Sequence, residues 1–262
     1  MLDLDGVIWL ADDPIPGAAD AVTRLRAAGE RVLFATNNSF ATVGEYEAKL
    51  AGVGISADGD VVTSAMAGAA LVEPDERVLV CGGPGIIEAA QRRGADVMTA
   101  ADARLQATGF SWDVVLAGFH RDFDYERLRV AAQAVTEGAR LVATNDDATY
   151  PTPEGPIPGG GAIVAAISYA TGVAPTVAGK PHPPMVSLIR SLSAQDRRGS
   201  RSSGVVVGDR PETDGALAAA LGYRFGLVLS GVTSAADLPV EPDPDVVAAD
   251  LARLVDVFLD GH

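Results

Sequence analysis

Met1-Leu2-Asp3-Leu4-Asp5-Gly6-Val7-Ile8-Trp9 is the stretch whose reading decides the fold. Two carboxylates, Asp3 and Asp5, stand two positions apart among apolar neighbours. On an extended strand residues i and i+2 share a face, so both carboxylates aim at one spot. Gly6 follows, where a backbone can turn sharply and pass close to a ligand. Adjacent acids repel unless a cation or a shared proton relieves them. A hard dication such as Mg²⁺ suits oxygen ligands of this kind. The plain alternative is that Asp-x-Asp-Gly is only a turn, because Asp and Gly dominate turns.

Downstream, a polar, Pro-rich loop at 11–17 leads into a helix over 18–28, which stops at Gly29. Residues 31–35 (Arg-Val-Leu-Phe-Ala) read as a buried strand ending at Thr36-Asn37-Asn38-Ser39. A strand–helix–strand unit of this size implies parallel pairing with a right-handed crossover. The four polar residues then lie at a strand's carboxyl end, where ligands bind in open α/β sheets. Their hydroxyl, amide and backbone N–H groups can seat an oxyanion or a phosphate. Alternatively, Asn38 or Ser39 simply caps a helix over 42–50.

A turn-rich connection at 52–60, an Ala-rich helix over 63–71 and the break Glu73-Pro74-Asp75-Glu76 mark a domain boundary. The pattern restarts at Arg77 with a strand over 78–81, then Gly82-Gly83-Pro84-Gly85 and a helix through Ala90. Gly83-x-Gly85 imitates half of a dinucleotide fingerprint. Glu88 stands where the third glycine belongs, so a tight strand-to-helix turn is the better reading. Strands over 113–118 and 140–144, with a helix over 125–137 between them, complete a second α/β unit. It reads as an inserted domain, 77–176, between 1–76 and 177–262. The loop over 145–161 is long and rich in Pro and Gly, hence either substrate-facing or a surface excursion. A helix over 162–170 follows.

Lys180 sits in Ala-Gly-Lys-Pro-His-Pro-Pro, ahead of a helix that starts at Pro183 or Pro184 and runs to Leu192. Such a junction can aim an ammonium inward; the alternative is a solvated lysine. Only two of the 20 basic residues are lysines, Lys49 and Lys180, which singles Lys180 out. His182 reads as structural, since no second His or Cys stands at metal spacing. Residues 195–203 read as a polar loop. A buried strand over 204–208 ends at Asp209 in Gly-Asp-Arg-Pro-Glu-Thr-Asp214, so two more carboxylates stand at a strand end. A strand over 225–229 and an amphipathic helix over 246–259 close the chain.

Composition excludes several classes. The 262 residues carry a net charge of −15, so nucleic acid is not an expected partner. A single cysteine, Cys81, excludes an internal disulfide framework and fits a reducing compartment. No basic-then-apolar leader and no stretch apolar enough to span a bilayer are visible, so a cytoplasmic protein without a membrane partner is expected.

Asp3/Asp5, Thr36-Asn37-Asn38, Lys180 and Asp209/Asp214 together supply carboxylates for a metal, donors for an oxyanion and one ammonium, which suits phosphoryl transfer. In order and spacing they resemble the haloacid dehalogenase (HAD) superfamily of phosphatases. Asp-Leu-Asp-Gly-Val-Ile-Trp is similar to its first motif, Ala-Thr36-Asn-Asn-Ser to its second, Gly-Lys180-Pro to its third and the Asp209–Asp214 run to its fourth. The α/β insertion between the second and third motifs resembles the class IIA branch, which includes NagD-like, p-nitrophenyl phosphate, phosphoglycolate and pyridoxal phosphate phosphatases. Only Met1 and Leu2 precede Asp3, fewer apolar residues than that family carries there, so the first strand reads as cut short.

The resemblance implies an α/β fold: a Rossmann-like parallel-sheet core with an inserted α/β (C2-type) cap. It implies a Mg²⁺-dependent phosphatase of a small phosphorylated metabolite. Asp3 becomes the nucleophile, forming an aspartyl-phosphate, and Asp5 the acid and then the base. Mg²⁺ is held by the Asp3 carboxylate, the Asp5 carbonyl and Asp209. Thr36, Asn37, Asn38 and Lys180 bind the phosphoryl group, and Asp214 orients Lys180 or a metal-bound water. Asn145 and Tyr150 are candidates for choosing the leaving group, in a cap that closes over the site. A homodimer through the insertion is also implied. The alternatives are a phosphotransferase or mutase using the same aspartyl-phosphate, and a non-catalytic phosphometabolite-binding protein.

Overall fold

The computed structural model describes residues 1–11, 13–103, 111–150, 152, 155–194 and 204–260. The loop expected over 195–203, and Pro151 and Pro153 of the 145–161 loop, lie outside the described residues. The chain forms two compact units, one of Met1–Thr36, Gly44–Val62 and Ile189–His262, the other of Asn37–Val43 and Thr63–Leu188.

The first unit is built on parallel strands. Val205–Gly208 pairs in parallel with Arg224–Val228, which pairs in parallel with Val246–Ala248. Phe34–Thr36 lies beside Val61–Thr63. Residues 1–3 run between these two groups. Leu2 bridges both Phe34 and Val207 in parallel, and the Leu2 and Asp3 amides donate to Leu33 O and Val207 O at 2.8 and 2.9 Å. The helix Ala18–Ala27 packs on the C-terminal helix Leu251–Asp260, with Arg24 paired to Asp256 at 2.8 Å.

Two expectations need correction. The extended strand through Asp5 stops short, because the chain reverses. The amides of Val7, Ile8 and Trp9 all donate to Leu4 O, and Gly6 takes a φ of +80°. Residues 1–3 are thus strand-like and residues 4–8 turn before the short strand Trp9–Leu10, so each of the two readings of this stretch holds for a part of it. The tail is not one helix over 246–259. Val246–Ala248 extends the sheet, with β-branched residues in the ladder, and the helix starts at Leu251. That helix is amphipathic as expected: Leu251, Leu254 and Val255 are buried, whereas Val257 is exposed.

The second unit is a five-stranded parallel sheet in the order Thr176–Val177, Arg140–Ala143, Val114–Ala117, Arg77–Cys81, Asp96–Thr99. Alternation along the central strands builds a core on each face. Leu79, Cys81, Val115, Ala117, Leu141 and Ala143 pack against the helices Tyr125–Thr136 and Gly160–Thr171. Val78, Val80, Val114, Leu116 and Val142 pack against Ser64–Ala69 and Pro84–Arg92. Gly83 and Gly85 lie against residues 40–41. Gly85 donates its amide to Phe40 O at 2.8 Å, and a β-carbon at either glycine would strike the backbone of Phe40 or Ala41. The edge strand Asp96–Thr99 carries no strong pattern in the sequence; its side chains are only partly buried.

His120 is buried behind this sheet's carboxyl edge. Its Nδ1 lies 3.0 Å from Gly118 O, and its Nε2 has no partner. Burial holds its pKa below the ordinary histidine value. A depressed value means that the folded chain resists a proton that the unfolded chain accepts. Stability is therefore full above about pH 6.5, the unfolded histidine value, and falls below it. In His120→Asn, whose amide can keep the bond to Gly118 O, the drop in urea midpoint between pH 7.5 and 5.5 is expected to shrink. An unchanged drop would assign it to other groups.

Candidate active site

Three acids meet in the first unit. Asp3 leaves the short extended run at residues 1–3; Asp209 directly follows the strand Val205–Gly208; Asp214 sits in the single π-helical turn Pro211–Gly215. All three are buried, and one carboxylate oxygen from each lies within 4.8 Å of the others. Like charges this close and this dry repel strongly, so a cation is the chemical complement of the cluster. An all-oxygen donor set of carboxylates suits a hard dication such as Mg²⁺.

The surrounding backbone is shaped to these acids. The Val232 amide donates to Asp209 Oδ2 at 2.6 Å, and the Arg210 amide donates to Asp214 Oδ2 at 3.3 Å. Gly6 and Gly231 both press on the Asp209 carboxylate, and Gly208 presses on that of Asp214; a β-carbon at any of them would overlap these groups. The Ser230 hydroxyl donates to Gly6 O at 2.6 Å and fixes the turn.

Asp5 stands apart from the trio through its side chain. The Trp9 Nε1–H donates to Asp5 Oδ1 at 3.1 Å, and the Lys49 ammonium lies 4.4 Å from the Trp9 ring centroid. Burial, reinforced by the Asp3 charge, pushes the Asp5 carboxyl up to about 6, against the opposing pull of Lys49 and the indole N–H. A carboxyl in that range can hold a proton and release it near neutral pH. Thr36, the last residue of the strand Phe34–Thr36, is buried at the end of that strand.

The remaining candidates belong to the second unit, where Asn37 is the hub. Its Oδ1 accepts from the Lys180 amide at 2.7 Å, and its Nδ2 donates to Lys180 O at 3.1 Å and Asp147 Oδ1 at 3.3 Å. Its carbonyl accepts from Ser64 Oγ and Asn145 Nδ2, each at 2.6 Å. Lys180 is thus clamped through its backbone and is 2% exposed. Gly179 beside it has no room for a β-carbon next to Asn37 Oδ1 and Thr144 O, which explains the glycine of Gly-Lys-Pro. Asn145 is buried and braces Asn37. Asn38 Nδ2 donates to the Tyr150 hydroxyl at 3.3 Å, and the Tyr150 ring stacks on Phe119 at 5.2 Å. His182 pairs with Asp146 at 3.1 Å. Asp147, Ser64, Trp9 and Lys49 were not singled out as site residues by motif reading. Each acts through a partner distant in the chain or through a ring, and neither leaves a local pattern.

A parallel α/β sheet with three buried acids gathered beside the carboxyl ends of its strands defines a protein of the Rossmann-like class with a buried acidic centre. Comparison with known proteins makes this specific. Residues 1–96 match the model of the haloacid dehalogenase-like hydrolases, and residues 177–254 match a HAD-hydrolase-like model. D-glycerol 3-phosphate phosphatase of Mycobacterium tuberculosis is 36% identical, over 97% of this chain and 70% of its own length. An acid sugar phosphatase of Staphylococcus haemolyticus is 34% identical, over 91% of this chain and 87% of its own. The crystal structure of the Mycobacterium tuberculosis glycerol phosphate phosphatase in complex with magnesium superposes with a TM-score of 0.83 at 34% identity, covering 97% of this chain and 75% of that one. The chain belongs to the haloacid dehalogenase-like hydrolases, in their class IIA, NagD-like branch. Among the described residues no helix is long and apolar enough to cross a membrane.

Proposed function

We propose that this protein is a Mg²⁺-dependent phosphoric monoester hydrolase acting on a small phosphorylated metabolite through an aspartyl-phosphate. The observation that carries the reading is the convergence of Asp3, Asp209 and Asp214 within 4.8 Å in a buried setting. The relatives' names support it, and they direct the first trials to glycerol 3-phosphate and sugar phosphates. Asp3, the Asp5 carbonyl and Asp209 would hold the metal, with Asp214 beside them. When bound, Mg²⁺ neutralises charge on the phosphoryl oxygens.

Asp3 attacks phosphorus, which splits one displacement into two. Asp5 protonates the leaving oxygen and later takes a proton from the attacking water. Thr36, Asn37, Asn38 and Lys180 bind the phosphoryl group, and the Asn37 clamp on the Lys180 backbone sets where that ammonium begins. The insertion 77–176 serves as the cap on a core of 1–76 and 177–262, and Tyr150 with its Phe119 stack contributes to leaving-group choice. We place the protein in the cytoplasm, as a homodimer through the insertion.

The test is hydrolysis of p-nitrophenyl phosphate with and without EDTA, followed by a phosphate-release screen in ¹⁸O-labelled water. Expected are activity lost to EDTA and restored by Mg²⁺, with solvent oxygen in the released phosphate. Activity indifferent to EDTA sinks the metal assignment. Phosphate passed to an acceptor without solvent oxygen favours a phosphotransferase. Tight ligand binding without turnover favours a binding protein.

A further inference from the structure

We propose that Trp9 is a positioning residue that holds the Asp5 carboxyl for proton donation to the leaving oxygen, and that Lys49 in turn holds Trp9; this rests on the phosphatase reading above. The groups involved all lie in the first unit. Trp9 is 1% exposed, and its Nε1–H donates to Asp5 Oδ1 at 3.1 Å. One chain reversal fixes donor and acceptor together: Leu4 O accepts from the Trp9 amide at 3.3 Å, and Trp9 O accepts from the Gly6 amide at 2.7 Å. On the face of the indole, the Lys49 Nζ sits 4.4 Å from the ring centroid while donating to Ala11 O at 2.9 Å. A cation so placed is attracted by the ring and tethered to the loop that follows it.

An indole N–H donates and cannot accept. In a protonated carboxyl the oxygen without the proton is the better acceptor, so the indole bond favours that arrangement. This assigns the acceptor role to Asp5 Oδ1 and leaves Oδ2 to carry the proton of the acid. In the first chemical step an Asp3 oxygen bonds to phosphorus while the bond from phosphorus to the leaving oxygen breaks. The electron pair of the broken bond stays on the leaving oxygen, which takes the Oδ2 proton, and Asp5 becomes a carboxylate. A hydrogen bond to that carboxylate is stronger than one to the neutral acid. The indole thus stabilises the charge that develops on Asp5 as the proton leaves, an interaction that grows towards the transition state.

Trp9→Phe removes the N–H and keeps a ring for Lys49. The readout is kcat/KM, which reports events up to departure of the leaving group, on two probes. p-Nitrophenyl phosphate releases a stable phenolate and needs little protonation. Glycerol 3-phosphate releases an alkoxide and needs it fully. The loss in kcat/KM is expected to be about tenfold or more greater for glycerol 3-phosphate. In an Asp5→Asn background, Trp9→Phe is expected to add less than about twofold on that substrate, because both changes act on one group.

Equal losses on the two probes, or full additivity with Asp5→Asn, overturn the proposal and leave Trp9 a packing residue. If Trp9→Phe does not fold, Lys49→Met decides by the same comparison, with a bias of about threefold expected, because a cation over the ring is the weaker restraint. An equal loss there overturns the proposal in the same way. A wild-type protein silent on both probes overturns the phosphatase reading itself, whereas an active enzyme without the bias overturns the role of Trp9 alone.

Discussion

Asp3→Asn is expected to lower phosphate release by about 10⁴-fold or more while leaving the fold intact. Loss of a covalent nucleophile removes the whole two-step route, and deletions of this kind in other enzymes cost on that order. Asparagine has nearly the same shape but does not attack phosphorus. The backbone of Asp3 stays in place, because its amide donates to Val207 O at 2.9 Å and Leu2 bridges Phe34 and Val207 whatever the side chain. The substitution also removes one of three clustered carboxylates, so the Mg²⁺-dependent rise in melting temperature is expected to shrink with it. Steady-state turnover, circular dichroism and melting with and without Mg²⁺ check both halves. Turnover within about tenfold of wild type would falsify the nucleophile assignment.

Gly6→Ala is expected to damage the metal centre without replacing any of its proposed ligands. Gly6 has a φ of +80°, in the left-handed region, where a side chain costs about 1 kcal/mol. A β-carbon there would lie 2.6 Å from Asp209 Cγ and 3.0 Å from Gly231 Cα, and closer still to Asp209 Oδ2. Asp209 cannot simply step back, because the Val232 amide holds its Oδ2 at 2.6 Å and Gly231 also crowds its carboxylate. Either the turn or the carboxylate must move. The expected result is a stability loss of about 1–3 kcal/mol and a rise of about tenfold or more in the Mg²⁺ concentration needed for half-maximal activity. A Mg²⁺ titration of turnover, paired with urea unfolding, separates the two effects. An unchanged Mg²⁺ requirement in a destabilised protein would mean that the turn, and not Asp209, gives way.

Asp209 was legible because it sits at a boundary that sequence marks well, and Asp3 and Asp214 because they stand in the same motif segments as Asp5 and Asp209. At such a boundary an apolar run stops, and a polar or glycine-rich segment begins. The parallel pairing of Val205–Gly208 with Arg224–Val228 follows from the same boundaries, since short apolar runs separated by helical segments leave few other arrangements. The face of Asp5 was not legible. Period-two reasoning assumes that the strand continues, and three amides bonded to one carbonyl, Leu4 O, end it. The partners Trp9 and Lys49 lie 40 residues apart in the chain, and a cation over a ring has no spacing rule to betray it. The C-terminal strand Val246–Ala248 was hidden for another reason: its three residues fit a helical stripe equally well, and only a neighbouring strand decides.

By itself the sequence determined the alternation of apolar runs and helices, the parallel α/β class, the four motif segments and the acidity of the centre. These depend on residue type and local spacing, which the chain carries wherever it is. Tertiary structure alone decided that Asp214 joins Asp3 and Asp209 within 4.8 Å, that Asp5 turns to the Trp9 indole, and that Asn37 clamps the backbone of Lys180. Those outcomes depend on where a reversing backbone and a distant segment place a donor to within a few tenths of an ångström, the margin on which a hydrogen bond or a shared ion is made or lost.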